Sequence, residues 1–192
     1  MCLRKGVELL VTVILRPKDI DMALEFSGSE QKQEVLEKVE KYLSELSLQA
    51  VARDFTRPWG GFFVIEERQA KEFAGIFFPD IEFAAIQLNR KLSPKILVVQ
   101  PGQRLSWQYH HRRSEIWRVI AGEAGVITSD TDNEGELQKL VVGDKIELSQ
   151  GQRHRLVGLS NWGIIAEIWQ HTDAEQPSDE EDIVRVQDDF GR

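Results

Sequence analysis

Cysteine is nearly absent: the 192-residue chain holds one, Cys2. A single thiol excludes an internal disulfide and any zinc cluster built on cysteines, and it suits a reducing cytoplasm. Also missing is an uninterrupted apolar stretch near the roughly 20 residues that span a bilayer, so no membrane insertion is expected. The early apolar run Val7 to Leu15, behind Arg4 and Lys5, is broken by Glu8 and followed by no small-residue cleavage site. It reads as structure or a loose leader rather than a signal peptide. An excess of positive charge is lacking too. Acidic residues outnumber basic ones 32 to 24, for a formal charge of -8. That is the wrong sign for nonspecific nucleic-acid binding, and an anionic ligand must meet a local basic site. No repeat with a period of roughly 20 to 50 residues is evident. The one low-complexity patch, Ser178 to Asp182, reads as a solvated charge run.

What remains is a globular composition, 41% hydrophobic and 29% charged, in a length that fits one domain with an appendage. Between Ser27 and Leu48 the apolar residues Val35, Leu36, Val39, Tyr42, Leu43 and Leu46 recur at helical spacing, and Ser27 with Glu30 offers a capping box. The expectation is an amphipathic helix at about 28–48, within an extension spanning 1–55, packed on a main domain spanning 56–192. Another helix is expected at Glu66 to Phe77. Beyond Arg57-Pro58-Trp59-Gly60-Gly61 the chain turns to short apolar or alternating runs: Ala84–Leu88, Lys95–Val99, Leu105–Tyr109, Ile116–Ala121, Gly125–Ser129, Leu137–Val142, Lys145–Leu148, Arg155–Leu159 and Ile164–Gln170. Short strands at this spacing argue for an all-β sandwich or barrel.

Chemistry concentrates between Gly102 and Gly122. Gln108 and His110 stand two apart, so on a strand they share a face, and Glu115 can join them from the next turn. A second hairpin carrying Gly143, Gly151 and His154 can close a set of two imidazoles, one carboxylate and one amide oxygen. Such a mixed set suits zinc or another divalent first-row metal. His111 should point the other way along its strand. Arg112 and Arg113 read as ion-pair or phosphate contacts, the five tryptophans as core or interface volume, and His171, past a strand end, as solvent-exposed.

The spacing Gly102-x5-Gln108-x-His110-x4-Glu115-x6-Gly122, with the later Gly143, Ser149, Gly151, His154 and Gly158, resembles the two cupin motifs. Gln108 stands where the first histidine is usual, Ser149 replaces a proline and Gly158 an asparagine. Local strings extend the resemblance to the cupin domain of bacterial type II mannose-6-phosphate isomerases: Arg57-Pro-Trp-Gly, Pro101-Gly-Gln-Arg-Leu-Ser-Trp-Gln, Arg113-Ser-Glu-Ile-Trp117, and Glu181 to Arg192. Together they cover about 57 to 192.

The resemblance implies a double-stranded β-helix barrel with an N-terminal helical extension. It also implies metal-dependent aldose–ketose isomerisation of a phosphorylated sugar in polysaccharide precursor metabolism. Gln108, His110, Glu115 and His154 would then hold the metal, zinc foremost. Glu167 and Lys95 correspond to groups that can face the barrel and move a proton, with Arg185 completing the catalytic set. Arg57, Arg185 and Arg192 are the guanidinium forks for the phosphate. The family commonly reads His-His-His-Arg-Ala-Glu-His-Trp where this chain has Arg112 and Ile116 in place of histidines, and Ile116 cannot shuttle a proton. The nucleotidyltransferase domain that often precedes this cupin has no counterpart in the fewer than 60 residues upstream of Arg57, so GDP-mannose synthesis by this chain alone is not expected. Cupins often pair through strand edges, which makes a homodimer the expected assembly. Two other readings stay open: a noncatalytic cupin that binds a sugar or sugar phosphate, and a metal-dependent oxygenase.

Overall fold

The computed structural model describes residues 24–87, 89 and 91–191. Val7 to Leu15 and Arg192 lie outside the described residues. In chain order the elements are α1 (Lys32–Glu45), β1 (Ala50–Asp54), β2 (Gly60–Ile65), a 3-10 turn (Glu67–Gln69), α2 (Ala70–Phe77), α3 (Phe83–Ile86), β3 (Lys95–Val99), β4 (Trp107–Tyr109), β5 (Arg113–Ser129), β6 (Leu137–Val141), β7 (Lys145–Leu148), β8 (Arg153–His171) and β9 (Val184–Gln187).

Every described strand pairing is antiparallel. β8 is the hinge of the sheet: its C-terminal half lies between β3 and the start of β5, and its N-terminal half pairs the end of β5 and touches β4. β2 and β1 extend the sheet beyond β3, β9 extends it beyond β4, and β6 and β7 line the far edge of β5. This is the double-stranded β-helix of the cupin type, with a helical extension. No helix among the described residues is long and apolar enough to cross a membrane.

Period-two alternation divides two cores. On one face Ile96, Val98, Ile116, Ile164, Ala166 and Ile168 pack against Val35, Leu36, Val39 and Leu43 of α1 and Phe73, Ala74 and Phe77 of α2. On the other, Leu97, Val99, Trp117, Val119 and Ile165 fill the barrel interior. β3 is buried at all five positions because both of its faces are covered.

The two long strands bend together where the register of β5 slips between Val119 and Ala121 and between Gly122 and Ala124. Gly122 makes this bend possible: its φ is +65°, and a Cβ there would lie 1.8 Å from the Trp162 carbonyl oxygen. The sequence divides each of these strands in two, but the bulges are absorbed without breaking either one.

Other differences are local. Ala84–Leu88, read as a strand, is the single helical turn α3 as far as its residues are described, because a short apolar run carries no period that separates the two states. β1, β2 and β9 were not anticipated. α1 starts at Lys32, not 28. The Glu30 carboxylate accepts from the Ser27 amide at 2.9 Å and from its hydroxyl at 2.9 Å in a turn before the helix, while Gln31 and Glu34 make the reciprocal cap.

Candidate metal centre and cavity

His110 follows β4, Glu115 lies on β5 and His154 near the start of β8; all three are 2% exposed. One ligand atom from each falls within 4.8 Å of the others. His110 Nε2 is 3.2 Å from Glu115 Oε1, and His154 Nε2 is 3.5 Å from Glu115 Oε2. Each imidazole turns Nε2 toward the carboxylate because its Nδ1 is held by a backbone carbonyl: His110 Nδ1 by that of Asp182 at 2.7 Å, His154 Nδ1 by that of Gln152 at 3.0 Å. Anchoring Nδ1 to a carbonyl turns Nε2, the atom a metal would take, toward the carboxylate.

The donor set fits a divalent cation. Burial pushes the His154 pKa down to about 4, against the pull of Glu115, so the ring is neutral near pH 7. Its Nε2 is buried and has no hydrogen-bond partner among the described residues. Burial opposes ionisation of Glu115, yet His110 and the Arg113 guanidinium together hold it well below the usual carboxylate range. The Nε2 of His154 faces the ionised Glu115 carboxylate at 3.5 Å, an arrangement that a divalent cation between them would relieve. Gln108 pairs in register with His154 on one side and Arg185 on the other, lines the same cavity as Glu115, and accepts a hydrogen bond from the Ser106 hydroxyl at 2.6 Å.

Arg113 lies directly against these ligands. Its buried guanidinium donates to Glu115 Oε1 at 2.7 Å and to the Ser178 hydroxyl at 2.7 Å. It contacts His110 Nε2 at 3.1 Å and stacks 3.6 Å from the centre of the Trp169 ring. Trp117 Nε1 donates to two carboxylates, Glu115 Oε2 at 3.1 Å and Glu167 Oε1 at 2.9 Å. Glu167 thereby stands one shared N–H away from the ligand set. Burial, reinforced by the Glu115 charge, pushes the Glu167 pKa up to about 8, so it carries a proton at neutral pH.

A cavity of about 70 Å³ opens beside these groups, lined by Arg57, Lys95, Gln108, Glu115, Glu167 and Arg185 among others. Lys95 faces Glu167 across the β3–β8 register and pairs with Glu180. Arg57 is 2.7 Å from Asp54. The walls are partly aromatic, with Trp59, Trp117 and Trp169. Of the sequence-derived candidates, only Arg192 lies outside the described residues.

Three readings change. Ser178 and Asp182, placed in a solvated charge run, are buried: the Asp182 carboxylate accepts from the amides of His111 and Arg112 at 3.1 and 2.9 Å. His171 is buried, with Nε2 3.1 Å from the Ser93 hydroxyl. Ile116 points away from the cavity into the helix-packed core, and Arg112 pairs with Asp179 at 3.1 Å outside it, so neither departure from the family string removes a group from the cavity wall. Gly158 has its own reason, since any Cβ there would lie 1.9 Å from the Gln100 carbonyl oxygen. Sequence reasoning gave Trp117 and Asp182 no role. Period two from Glu115 finds Trp117; nothing local marks Asp182.

The family model described as mannose-6-phosphate isomerase C-terminal matches residues 66–188. Over 117 residues the chain is 31% identical to mannose-1-phosphate guanylyltransferase ManC of Salmonella typhimurium, covering 61% of this chain and 23% of that protein. Over 188 residues it is 28% identical to xanthan biosynthesis protein XanB of Xanthomonas campestris pv. campestris, covering 97% and 33%. This alignment reaches the extension as well as the barrel. The chain thus spans about a quarter to a third of the length of these relatives. Among solved structures, a Klebsiella pneumoniae protein with a double-stranded β-helix domain is similar at 23% identity and a TM-score of 0.38, over 43% of this chain and 70% of that one.

Proposed function

The chain belongs to the mannose-6-phosphate isomerase C-terminal family, and from that premise we propose that it is a metal-dependent isomerase of a phosphorylated sugar, with mannose 6-phosphate the first substrate to test. It would act in the cytoplasm on polysaccharide precursors. One observation carries this reading: the buried Glu167 carboxyl shares the Trp117 N–H with the Glu115 carboxylate, in a cavity that also holds Arg57, Lys95 and Arg185.

Aldose–ketose exchange needs a group that takes a proton from one carbon and returns it to the next, and positive charge for the oxygens while it does so. Glu167 moves the proton. A pKa near 8 makes its carboxylate a stronger base than an ordinary glutamate, while the acid form stays accessible for the return step. Arg57, Arg185 and Lys95 take the phosphate oxygens, and Arg113 adds positive charge along the wall. Trp117 orients Glu115 and Glu167 together, and Trp59 and Trp169 exclude water. Zinc held by His110, Glu115 and His154, with Gln108 beside them, would supply Lewis acidity at the sugar oxygens.

The test is incubation of zinc-loaded protein with a panel of hexose and heptose phosphates in deuterated water, followed by proton NMR. Solvent deuterium should enter the product next to the carbonyl carbon. Glu167→Gln should keep its metal and lose about 10²- to 10⁴-fold in rate. With Glu167 as the base, the wild-type rate should climb with pH as Glu167 loses its proton and then level. Ligand binding without exchange on any substrate would favour the noncatalytic alternative and sink the isomerase reading. Full activity in Glu167→Gln would remove Glu167 from the mechanism.

A further inference from the structure

Lys95 is the most enclosed cation in the cavity that is not tied to the ligand set. Its side chain is 6% exposed, its Nζ lies 3.5 Å from the centre of the Trp169 ring and 5.4 Å from that of Phe62, and its carboxylate partner is Glu180. The asymmetry of that pair is the informative feature, because Glu180 is 58% exposed. A surface carboxylate thus reaches inward to neutralise a buried ammonium, inside the cavity where an external ligand must bind.

The chain on either side of Glu180 is fastened. Before it, the Ser178 hydroxyl and the Asp179 carbonyl accept from Arg113 Nη1 at 2.7 and 3.1 Å. After it, Asp182 is held by the His111 and Arg112 amides and by the Ser178 hydroxyl at 2.7 Å. Between these anchors the Glu180 side chain can swing into water without moving the backbone that positions His110. Its departure alone would strand a buried ammonium, which is costly. An arriving anion removes that cost, so the two exchange one for one and Lys95 stays paired throughout.

We propose that Lys95 is an anion-binding subsite for a phosphate or similar oxyanion, and that Glu180 is its internal occupant, released when the ligand's anionic group takes its place. The inference rests on the cavity being the ligand site of the proposed function, though not on isomerisation. Closure of Glu180 on Lys95 holds the empty site neutral and selects for ligands carrying an anion. By the same competition it weakens apparent affinity by the fraction of time the latch is open.

The test is calorimetric titration of the full-length protein with inorganic phosphate at fixed ionic strength. A latch shut about nine-tenths of the time predicts that Glu180→Gln binds phosphate about tenfold more tightly than wild type. Glu181→Gln removes the same charge one residue along, outside the cavity lining, and should leave affinity within about twofold, since a solvent-screened carboxylate acts weakly at that range. Lys95→Met should weaken binding and erase the gain from Glu180→Gln in the double variant. The proposal fails if Glu180→Gln gains nothing, if Glu181→Gln gains as much, or if phosphate binds neither wild type nor Glu180→Gln. The first two comparisons need no Lys95 variant, so they stand even if that one does not fold. Latch behaviour without deuterium exchange would sink the isomerase reading alone; exchange with an unchanged phosphate affinity in Glu180→Gln would sink the latch alone.

Discussion

The two faces of the strands β3, β5 and β8 share one backbone and differ by a single residue of phase. Ile96, Ile116, Ala166 and Ile168 look toward the helices, while Lys95, Glu115, Glu167 and Trp169 look into the barrel. The helix-side face is mostly apolar, and the polar groups it does carry have partners there: Gln170 donates to the Ile86 carbonyl at 2.9 Å and Arg118 pairs with Asp80. The cavity face tolerates ionisable groups because each has a partner: Glu115 with Arg113, Lys95 with Glu180, and Glu167 under the Trp117 N–H. A substitution therefore has a meaning set by its parity as much as by its chemistry. Ile116 in place of the family's histidine is the clearest case, a nonpolar residue on the nonpolar side.

The largest break in this comparison comes from the cavity face. His154→Ala deletes a neutral imidazole whose Nε2 has no hydrogen-bond partner among the described residues, and His110→Ala deletes the ring fixed by the Asp182 carbonyl. Elemental analysis of purified protein should find metal lost in both variants, with turnover abolished, while folding survives because neither ring carries the apolar packing of the barrel. Metal retained at wild-type stoichiometry in His154→Ala would dissolve the proposed centre.

A second, smaller effect appears in stability against pH for chelator-treated protein. Glu167 titrates near 8 when folded against an ordinary 4.5, so across that window the folded state keeps a proton that the unfolded chain has released. Stability must fall as pH rises through it. His154 and His171, both pushed down to about 4 from 6.5, act oppositely, and their contribution is complete above about 6.5. Between roughly pH 6.5 and 8 Glu167 should contribute a slope of up to about 1.4 kcal/mol per pH unit. Urea midpoints should show wild type losing stability across this range and Glu167→Gln staying flat. Equal slopes would mean that Glu167 is not protonated in the folded state.

How much of this was legible beforehand follows from what kind of information each feature uses. Lys95–Val99 and Lys145–Leu148 match observed strands at both ends because each is a short β-rich run bounded by turn residues. The convergence of His110, Glu115 and His154 was readable from motif spacing, since two hairpins at fixed offsets leave little freedom. Continuous β5 and β8 were not, because bulges look like strand ends in sequence. Nor was Asp182: its carbonyl meets His110 across 72 positions, and only folding reveals that a segment rich in acid packs against His110 and Arg113. Local charge predicts solvation, but the buried Arg113 beneath it reverses that outcome for Ser178 and Asp182.

The finest cut at the two-face comparison uses adjacent residues. Ile116→Val removes one methylene from the helix-side core, where Ile116 is 3% exposed, and should lower stability by about 0.5–1.5 kcal/mol in a denaturant titration. Metal content, substrate KM and the pH dependence of the rate should not change, because the side chain points away from Glu115 and Glu167. Trp117 is the next residue along, on the opposite face, and Trp117→Phe keeps an aromatic ring in the barrel while removing the N–H that two carboxylates share. Its signature should be the reverse, a displaced pH–rate profile at a modest cost in stability. A shifted profile in Ile116→Val would show that the helix layer and the cavity are coupled through β5, and the division by parity would then describe where side chains point without describing what they control.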